Sequence, residues 1–372
     1  MNSSSTNDEP SPLSVVLVST QRGWGGGEQQ ASLLLEGLRD RGHKCCVIAR
    51  QAGPFAQRIG EAGFPLVTIS GRGLTPAALW SMRNTIRRLA PDVLHANDSH
   101  AFMNLNVAAM GIRRPLRIAT RRTSFPVRNP WQYNFFADRT VCVVESVAEQ
   151  CREAGISADQ LRVVHSGVDA AKIRSGKRLQ TRKALGIRHD QKVLLTIGNL
   201  IPCKGHTYLL EALRVVLQQH PDIYLLLAGE GEMRAELQRL AETLGIQDHV
   251  RFLGFRRDAP DLLAAADLFV MPSLLEGICG VVLEVMTAGL PLVTTTAGGI
   301  ADVLAVPPGE PELAWAVPPG EMQPLAAAVI EALRLPDEAR QRASRAKVHA
   351  EQRFTSDRMI DNTIQVYREG KS

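Results

Sequence analysis

Two glutamates eight residues apart, Glu276 and Glu284, sit around a short Gly-containing turn in the segment Met271–Gly299, MPSLLEGICGVVLEVMTAGLPLVTTTAGG. The turn reads as the opening of a helix, and an apolar run, Leu290–Val293, and the pair Gly298-Gly299 follow it. A helix N-terminus presents unpaired N–H groups and the positive end of a dipole, so it attracts phosphate. Carboxylates beside that turn repel phosphate and are left to accept hydrogen bonds from hydroxyls. Anion-binding amides flanked by hydroxyl-binding carboxylates suit a nucleotide-sugar.

A second element of the same kind is Gly198-Asn199-Leu200-Ile201-Pro202-Cys203-Lys204-Gly205, which ends one strand and opens a helix. A lysine at a helix N-terminus is electrostatically misplaced unless an anion shares the site. Lys204 is therefore read as a diphosphate ligand rather than surface decoration. The GxxxxGK[ST] spacing of a Walker A loop is absent,. So are D-x-D and H-E-x-x-H, and no dedicated metal site or cofactor is expected. Neutralising a departing diphosphate then falls to Lys204, arginines and backbone amides.

The first half of the chain carries weaker signals. Its first strand runs into Gly23-Trp24-Gly25-Gly26-Gly27-Glu28, which nearly fits G-x-G-x-x-G but has Glu28 for the last Gly and no acid some 20 residues on,. That argues against NAD. Gly25, Gly26 and Gly27 read equally as a loop bringing amides to a ligand or as a tight strand-to-helix turn.

From Ser99 to Ala137 there is no acidic residue, while Arg113, Arg114, Arg117, Arg121, Arg122 and Arg128 mix with Phe125, Trp131, Tyr133, Phe135 and Phe136. The stretch reads as a platform for an anionic acceptor or phospholipid headgroups, as a single-stranded nucleic-acid surface, or as a solvated basic loop over an aromatic core edge. The last is the simplest, except at Arg121 and Arg122, which follow a strand's carboxyl end. His95 and His165 also stand at strand ends, as cleft residues or as structural histidines.

The elements that must position these residues alternate along the chain. Leu13–Val18, Cys45–Ala49, Leu66–Ile69, Val93–Ala96, Leu116–Thr120 and Val141–Val144 read as buried strands,. Helices such as Glu28–Arg39 and Pro76–Leu89 lie between them. Between about Ala170 and Lys192 the rhythm breaks into a polar, basic stretch. It restarts with strands at Val193–Ile197, Tyr224–Ala228, Val250–Leu253, Leu268–Met271, Pro291–Thr294 and Ala314–Val317. Helices are expected at Thr207–Gln218, Arg234–Leu244, Pro324–Leu335 and Ser356–Arg368. This is an α/β pattern of two Rossmann-like, doubly wound domains, with ligands at the carboxyl ends of strands in the cleft between them. The expected division is a disordered tail at 1–12, domains at 13–185 and 186–352, and a last helix within 353–372.

Composition agrees with this division. A chain of 372 residues is comfortable for two domains, and 45% apolar with 22% charged residues is ordinary for a globular protein,. Residues 1–185 hold 25 Lys+Arg against 14 Asp+Glu, whereas residues 186–372 hold 18 against 24, so the halves have opposite sign. The acidic second half argues against nucleic acid as a partner. No run approaches a membrane span of roughly 18 apolar residues. The start MNSSSTNDEPSP is polar and acidic, unlike a signal peptide. Six cysteines form no CxxC pair, which fits a reducing cytoplasm,.

The motifs of the second half resemble the retaining GT-B glycosyltransferases of family 4. Glu276 and Glu284 reproduce the E-x7-E spacing, with Pro272-Ser273-x-x-Glu276-Gly277 before and Gly289-x-Pro291 and Gly298-Gly299 after. Gly229-Glu230-Gly231 with Arg234, Phe252-Leu253-Gly254-Phe255 and Lys204-Gly205 also match, and more loosely so do Gly26-Gly27-Glu28 and Gly167-Val168-Asp169. The resemblance covers about Leu13–Tyr367. It implies a GT-B fold and metal-independent sugar transfer with retained anomeric configuration. Lys204 and the amides of Ile278, Cys279 and Gly280, next to Gly277, would hold the diphosphate. Glu284 would take the ribose hydroxyls and Glu276 the donor sugar. Gly229 and Asn199 would lie beside the donor, and the Phe255–Asp258 loop would meet the base. The final helix would cross back onto the first domain.

Three positions depart from the family. Asn199 stands where many members carry an arginine, Ile278-Cys279 replaces Phe-Gly, and Arg122 occupies the place of a histidine near the reacting centre. An arginine is no general base, but it can stabilise the leaving phosphate or bind an acidic acceptor. The implied function is a cytoplasmic transferase elongating a glycan or glycolipid in envelope or polysaccharide synthesis, in peripheral contact with the inner membrane face. The alternative is a non-catalytic nucleotide-sugar or glycan-binding module on the same fold.

Overall fold

The structure, a computed structural model, describes residues 11–71, 73–113 and 115–369. Most of the expected tail, Arg114 and the last three residues lie outside the described residues.

The first sheet holds seven strands, all parallel: β1 (Ser14–Ser19), β2 (Lys44–Arg50), β3 (Leu66–Ile69), β4 (Val93–Ala96), β5 (Leu116–Arg121), β6 (Arg139–Cys142) and β7 (Leu161–Val163). Their spatial order is β3-β2-β1-β4-β5-β6-β7. A second parallel sheet holds β8 (Val193–Ile197), β9 (Tyr224–Ala228), β10 (Val250–Gly254), β11 (Leu268–Met271), β12 (Leu292–Thr295) and β13 (Trp315–Val317), in the order β10-β9-β8-β11-β12-β13. These strands are runs of Val, Leu and Ile because helices cover both faces of each sheet. In each sheet the winding direction reverses once, between β1 and β4 and between β8 and β11. The strand ends at such a reversal splay apart and leave a crevice for ligands.

Among the described residues, the stretch that read as a break holds two short helices, Ala170–Arg174 and Arg178–Ala184, and two further elements lack a bulky apolar period and were not legible as such. β7 is three residues long and carries Arg162, which pairs with Glu369 at 2.6 Å. The 18-residue helix Pro336–Arg353 buries only alanines, Ala339, Ala343, Ala346 and Ala350. Their spacing is helical, but their size lets the helix pack close without a hydrophobic stripe.

The helix Ser356–Glu369 leaves the second sheet and packs on the first. Met359, Ile360, Ile364 and Tyr367 join a core with Val15 and Leu17 of β1 and Leu34, Leu35 and Leu38 of the helix Gly26–Asp40. Arg41 grips its outer side through Asp357 at 3.0 Å and Asp361 at 2.8 Å. Where the chain crosses, Val168 accepts from the Ser356 amide and donates to the Phe354 carbonyl. Two covalent passages between the sheets therefore lie side by side.

Candidate active site

The second sheet supplies a charged pair at the head of a helix. β11 ends at Met271, and the loop that follows reaches Gly280–Ala288, a nine-residue helix capped by Cys279 with no side-chain cap. Among the described residues no backbone carbonyl accepts from the amides of Ile278, Cys279 or Gly280. Glu276, 8% exposed, accepts from Ser273 Oγ at 2.7 Å and from Lys204 Nζ at 2.5 Å. Lys204 ends the 3-10 turn Pro202–Lys204 after β8. Burial opposes its ammonium, but Cys279 and the Glu276 carboxylate outweigh that and hold its pKa above the usual lysine value. It is thus a fixed cation beside an open helix N-terminus.

Glu284 lies one turn further along this helix and accepts from Gln29 Nε2 of the first domain at 2.7 Å. Burial raises its pKa, and the Gln29 bond works against that rise. The Gly277 backbone passes the Arg122 carbonyl so closely that a Cβ on Gly277 would stand 1.8 Å from that oxygen. Glycine is required there. At Cys279 it is not: φ is −84°, which any residue adopts, so the cysteine sits in the turn without backbone strain. Burial first, then the Glu276 carboxylate, pushes the Cys279 thiol up to about 12, so it fills space as a neutral thiol.

Gly229 follows β9, its amide bonded to the Gly254 carbonyl at 2.8 Å. The exposed Asn199 offers its carbonyl to His206 Nε2 at 3.2 Å. Phe255 stands half out in solvent just after β10.

The first sheet supplies Arg122 and the glycine loop. Arg122 follows β5 and donates to Asn97 Oδ1 from Nη2 at 3.0 Å and Nε at 3.2 Å. Asn97 Nδ2 in turn donates to the Gly27 carbonyl at 3.3 Å, which ties Gly25–Gly27 to the end of β4. Burial lowers the Arg122 pKa to about 10, with Glu28, Tyr367 and Asp98 supporting the charge, so the guanidinium stays protonated. Ser124 Oγ, two residues on, donates to the Glu276 carbonyl across the domains. Arg122, Glu276, Gly277 and Lys204 are thereby gathered in one place.

Residues 24–172 match the family described as Glycosyltransferase Family 4, and residues 177–349 match Glycosyl transferases group 1. The chain belongs to the family 4 GT-B glycosyltransferases. Its fold is that of Anabaena Alr3699/HepE in complex with UDP-glucose, with a TM-score of 0.86 over 96% of this chain and 100% of that one at 23% identity. It is 29% identical over 281 residues to the lipopolysaccharide core biosynthesis glycosyltransferase LpsE of Rhizobium meliloti, covering 74% of this chain and 77% of that one. It is 27% identical over 240 residues to an Escherichia coli enzyme, UDP-Gal:alpha-D-GlcNAc-diphosphoundecaprenol alpha-1,3-galactosyltransferase, covering 60% and 62%. The matched stretch thus spans about three fifths of that relative, and half of one from Methanocaldococcus jannaschii.

Within this GT-B frame three of the first-half residues hold other posts than the cleft. His95 is 2% exposed, with Nδ1 at 2.5 Å from the Tyr367 hydroxyl and Nε2 at 2.5 Å from Thr120 Oγ1. Burial, helped by Arg122, pushes its pKa down to about 3, so it is a neutral pin between the final helix and the first sheet. Arg121 is buried and spends its guanidinium on Ser99 Oγ and the Phe125 carbonyl, at 3.2 and 2.7 Å, shaping its own loop. His165 donates from Nδ1 to the Val143 carbonyl at 3.0 Å and meets the Phe354 ring edge-on under the chain crossing. A strand's carboxyl end marks the neighbourhood of a site, but side chains alternate across a strand and every second one turns into the helix layer.

Four site residues were not singled out from sequence. Ser273 stood inside the quoted Pro-Ser-x-x-Glu motif without a role. Asn97 follows β4 directly and could have been found as a strand-end polar residue. Gln29 and Ser124 gave no signal, because each acts on a residue of the other domain, 255 and 152 positions away.

Proposed function

We propose that this protein transfers a sugar from a nucleoside-diphosphate-sugar to a glycan or glycolipid acceptor, with the anomeric configuration retained and no metal required. The observation that carries this reading is the Lys204–Glu276 pair at the uncapped head of the Gly280–Ala288 helix. A diphosphate arriving there exchanges partners with the pair. Lys204 and the amides of Ile278–Gly280 take the phosphate oxygens, and Glu276 turns to the sugar hydroxyls. Glu284 accepts from the ribose. The bond from the anomeric carbon to the diphosphate oxygen breaks as the acceptor oxygen bonds on the same face, and the leaving phosphate oxygen takes the acceptor proton. Arg122, charged and held by Asn97, stabilises the developing negative charge. In this scheme residues 13–185 bind acceptor, residues 186–352 bind donor, and residues 353–372 cross back.

The test is release of free nucleotide from UDP-, GDP- and ADP-sugars with lipid-linked and soluble glycan acceptors. Release that requires both donor and acceptor is expected, with the α- or β-linkage of the donor kept in the product. Binding of a donor without release for any acceptor overturns catalysis in favour of a binding module.

The acceptor reading extends to peripheral contact with the cytoplasmic membrane face. Among the described residues no helix is long and apolar enough to cross a membrane. The solvent face of the helix Ser99–Ala108 is nonetheless apolar, with Met103, Val107 and, just beyond it, Met110 exposed at a helical spacing. Arg83 fastens the neighbouring helix, which exposes Trp80, to the carbonyls of Ala108 and Met110. Exposed Trp131 and Phe135 lie on the helix Pro130–Phe136, whose Tyr133 stacks on Phe102. Apolar side chains among arginines match an anionic bilayer. Cosedimentation with vesicles containing phosphatidylglycerol is expected for the wild type and lost in Met110→Ser/Trp131→Ser. Absence of binding by the wild type overturns this part of the reading.

A further inference from the structure

We infer that Gln29 is a positioning residue through which the first domain completes the donor site. The inference rests on reading Glu284 as the ribose acceptor and adds to it the residue that holds Glu284 in place. Glu28, Gln29 and Gln30 lie near the start of the helix Gly26–Asp40 and face three directions. Glu28 turns back to Ser19 Oγ at 3.3 Å. Gln30 makes a two-bond clasp with Gly167, donating from Nε2 to its carbonyl and accepting its amide, both at 2.8 Å. Gly167 lies where the chain crosses between the domains, against the backbone of Thr355 and Ser356. The clasp therefore fixes the helix start on the crossing. Gln29, between the two, reaches Glu284 Oε1 at 2.7 Å.

The chemistry of that contact is directional. A neutral amide donor occupies one oxygen of a partly buried carboxylate and leaves the other for a hydroxyl pair. Without Gln29, a carboxylate whose burial already favours protonation loses a donor that keeps it charged, and a free rotor must be ordered when the ligand arrives. The same domain also holds the other glutamate of the pair, since Ser124 Oγ donates to the Glu276 carbonyl. Both glutamates are thus held from the opposite domain. Nucleotide affinity accordingly depends on the two domains meeting as they do here, without any contact between Gln29 and the nucleotide.

The test uses the full-length protein and the dissociation constants of UDP, GDP and ADP, read by calorimetry from pH 5 to pH 8. Gln29→Ala is expected to weaken the best-bound nucleotide about tenfold, with an unchanged melting temperature. Gln29→Glu carries the distinguishing signature. Two carboxyls at hydrogen-bond distance share a proton toward the acid end of this range, with Lys172 facing Glu284 in variant and wild type alike, so affinity there stays nearest wild type,. As pH rises the two carboxylates face each other, and the dissociation constant climbs at least tenfold relative to wild type. A variant-to-wild-type ratio that is flat in pH overturns the inference. Glu284→Ala separates this from the underlying reading. If it weakens binding while both Gln29 variants bind as wild type does, Gln29 has no positioning role and the donor site stands. If Glu284→Ala binds normally, or no nucleotide binds the wild type, the donor-site reading falls and the inference with it.

Discussion

The two domains have the same doubly wound design and treat the residues at their strand ends in opposite ways. In the second, Lys204, Ser273 and Glu276 stay together as charged or polar groups directed at one another beside an open helix N-terminus. In the first, His95 and Arg121 are withdrawn into packing, while Arg122 is held charged on Asn97 and meets the second domain through its backbone carbonyl, which lies against Gly277. On the proposed reading, the difference teaches that the half taking the diphosphate keeps fixed charge in one place, whereas the half taking the acceptor contributes mainly a packed wall. Lys204 and Glu276 are each other's partner in this structure, so removing either leaves an uncompensated charge.

That contrast can be broken most directly at the donor pair. Lys204→Ala and Glu276→Gln are each expected to lower sugar transfer at least about a hundredfold, measured as nucleotide release, while circular dichroism stays that of a folded protein. Loss below tenfold in both would mean that the second domain is not the chemical half.

Next comes Arg122 against its neighbour. Arg122→Ala should lower transfer about ten- to a hundredfold with little change in melting temperature, whereas Arg121→Ala should destabilise by about 2 kcal/mol through its lost loop bonds. Equal behaviour of the two would erase the distinction drawn here between them.

A smaller effect follows from His95. Its folded pKa lies near 3, below the ordinary histidine value of 6.5, so its contribution to stability is full above pH 6.5 and is lost as pH falls toward 3,. Denaturant titrations from pH 7 to pH 4 should show that decline, and it should be shallower in His95→Gln. An identical slope in the variant would place the acid sensitivity elsewhere. The smallest change is expected at Cys279, where φ is ordinary and the thiol neutral. Cys279→Ala should leave transfer within about threefold, since it removes little more than one buried sulfur; a hundredfold loss would restore a direct role for the thiol.

How far the site was legible differs between the halves for the same reason. Glu276, Glu284 and Lys204 stood out because their charges are misplaced for ordinary surface residues and lie beside turns that open helices. Among the described residues, twelve of the thirteen strands were legible as apolar runs, because parallel strands are buried on both faces,. β7 and the alanine-lined helix Pro336–Arg353 were not, being too short and too small in side chain to leave a pattern. His95 and Arg121 misled because strand-end position does not tell which face a side chain takes.

By itself, the sequence determined the two parallel sheets, the turn that opens the Gly280–Ala288 helix, and the charges available beside it. Periodicity and electrostatic misplacement are local properties, carried by neighbours within a dozen residues. Only the tertiary structure decided that Lys204 pairs with Glu276, that the Arg122 carbonyl lies against Gly277 while His95 is buried under the final helix, and that Gln29 and Ser124 reach across to the two glutamates. Those are contacts between residues 72 to 255 positions apart, fixed by how the domains pack around the returning final helix, and no local pattern encodes them.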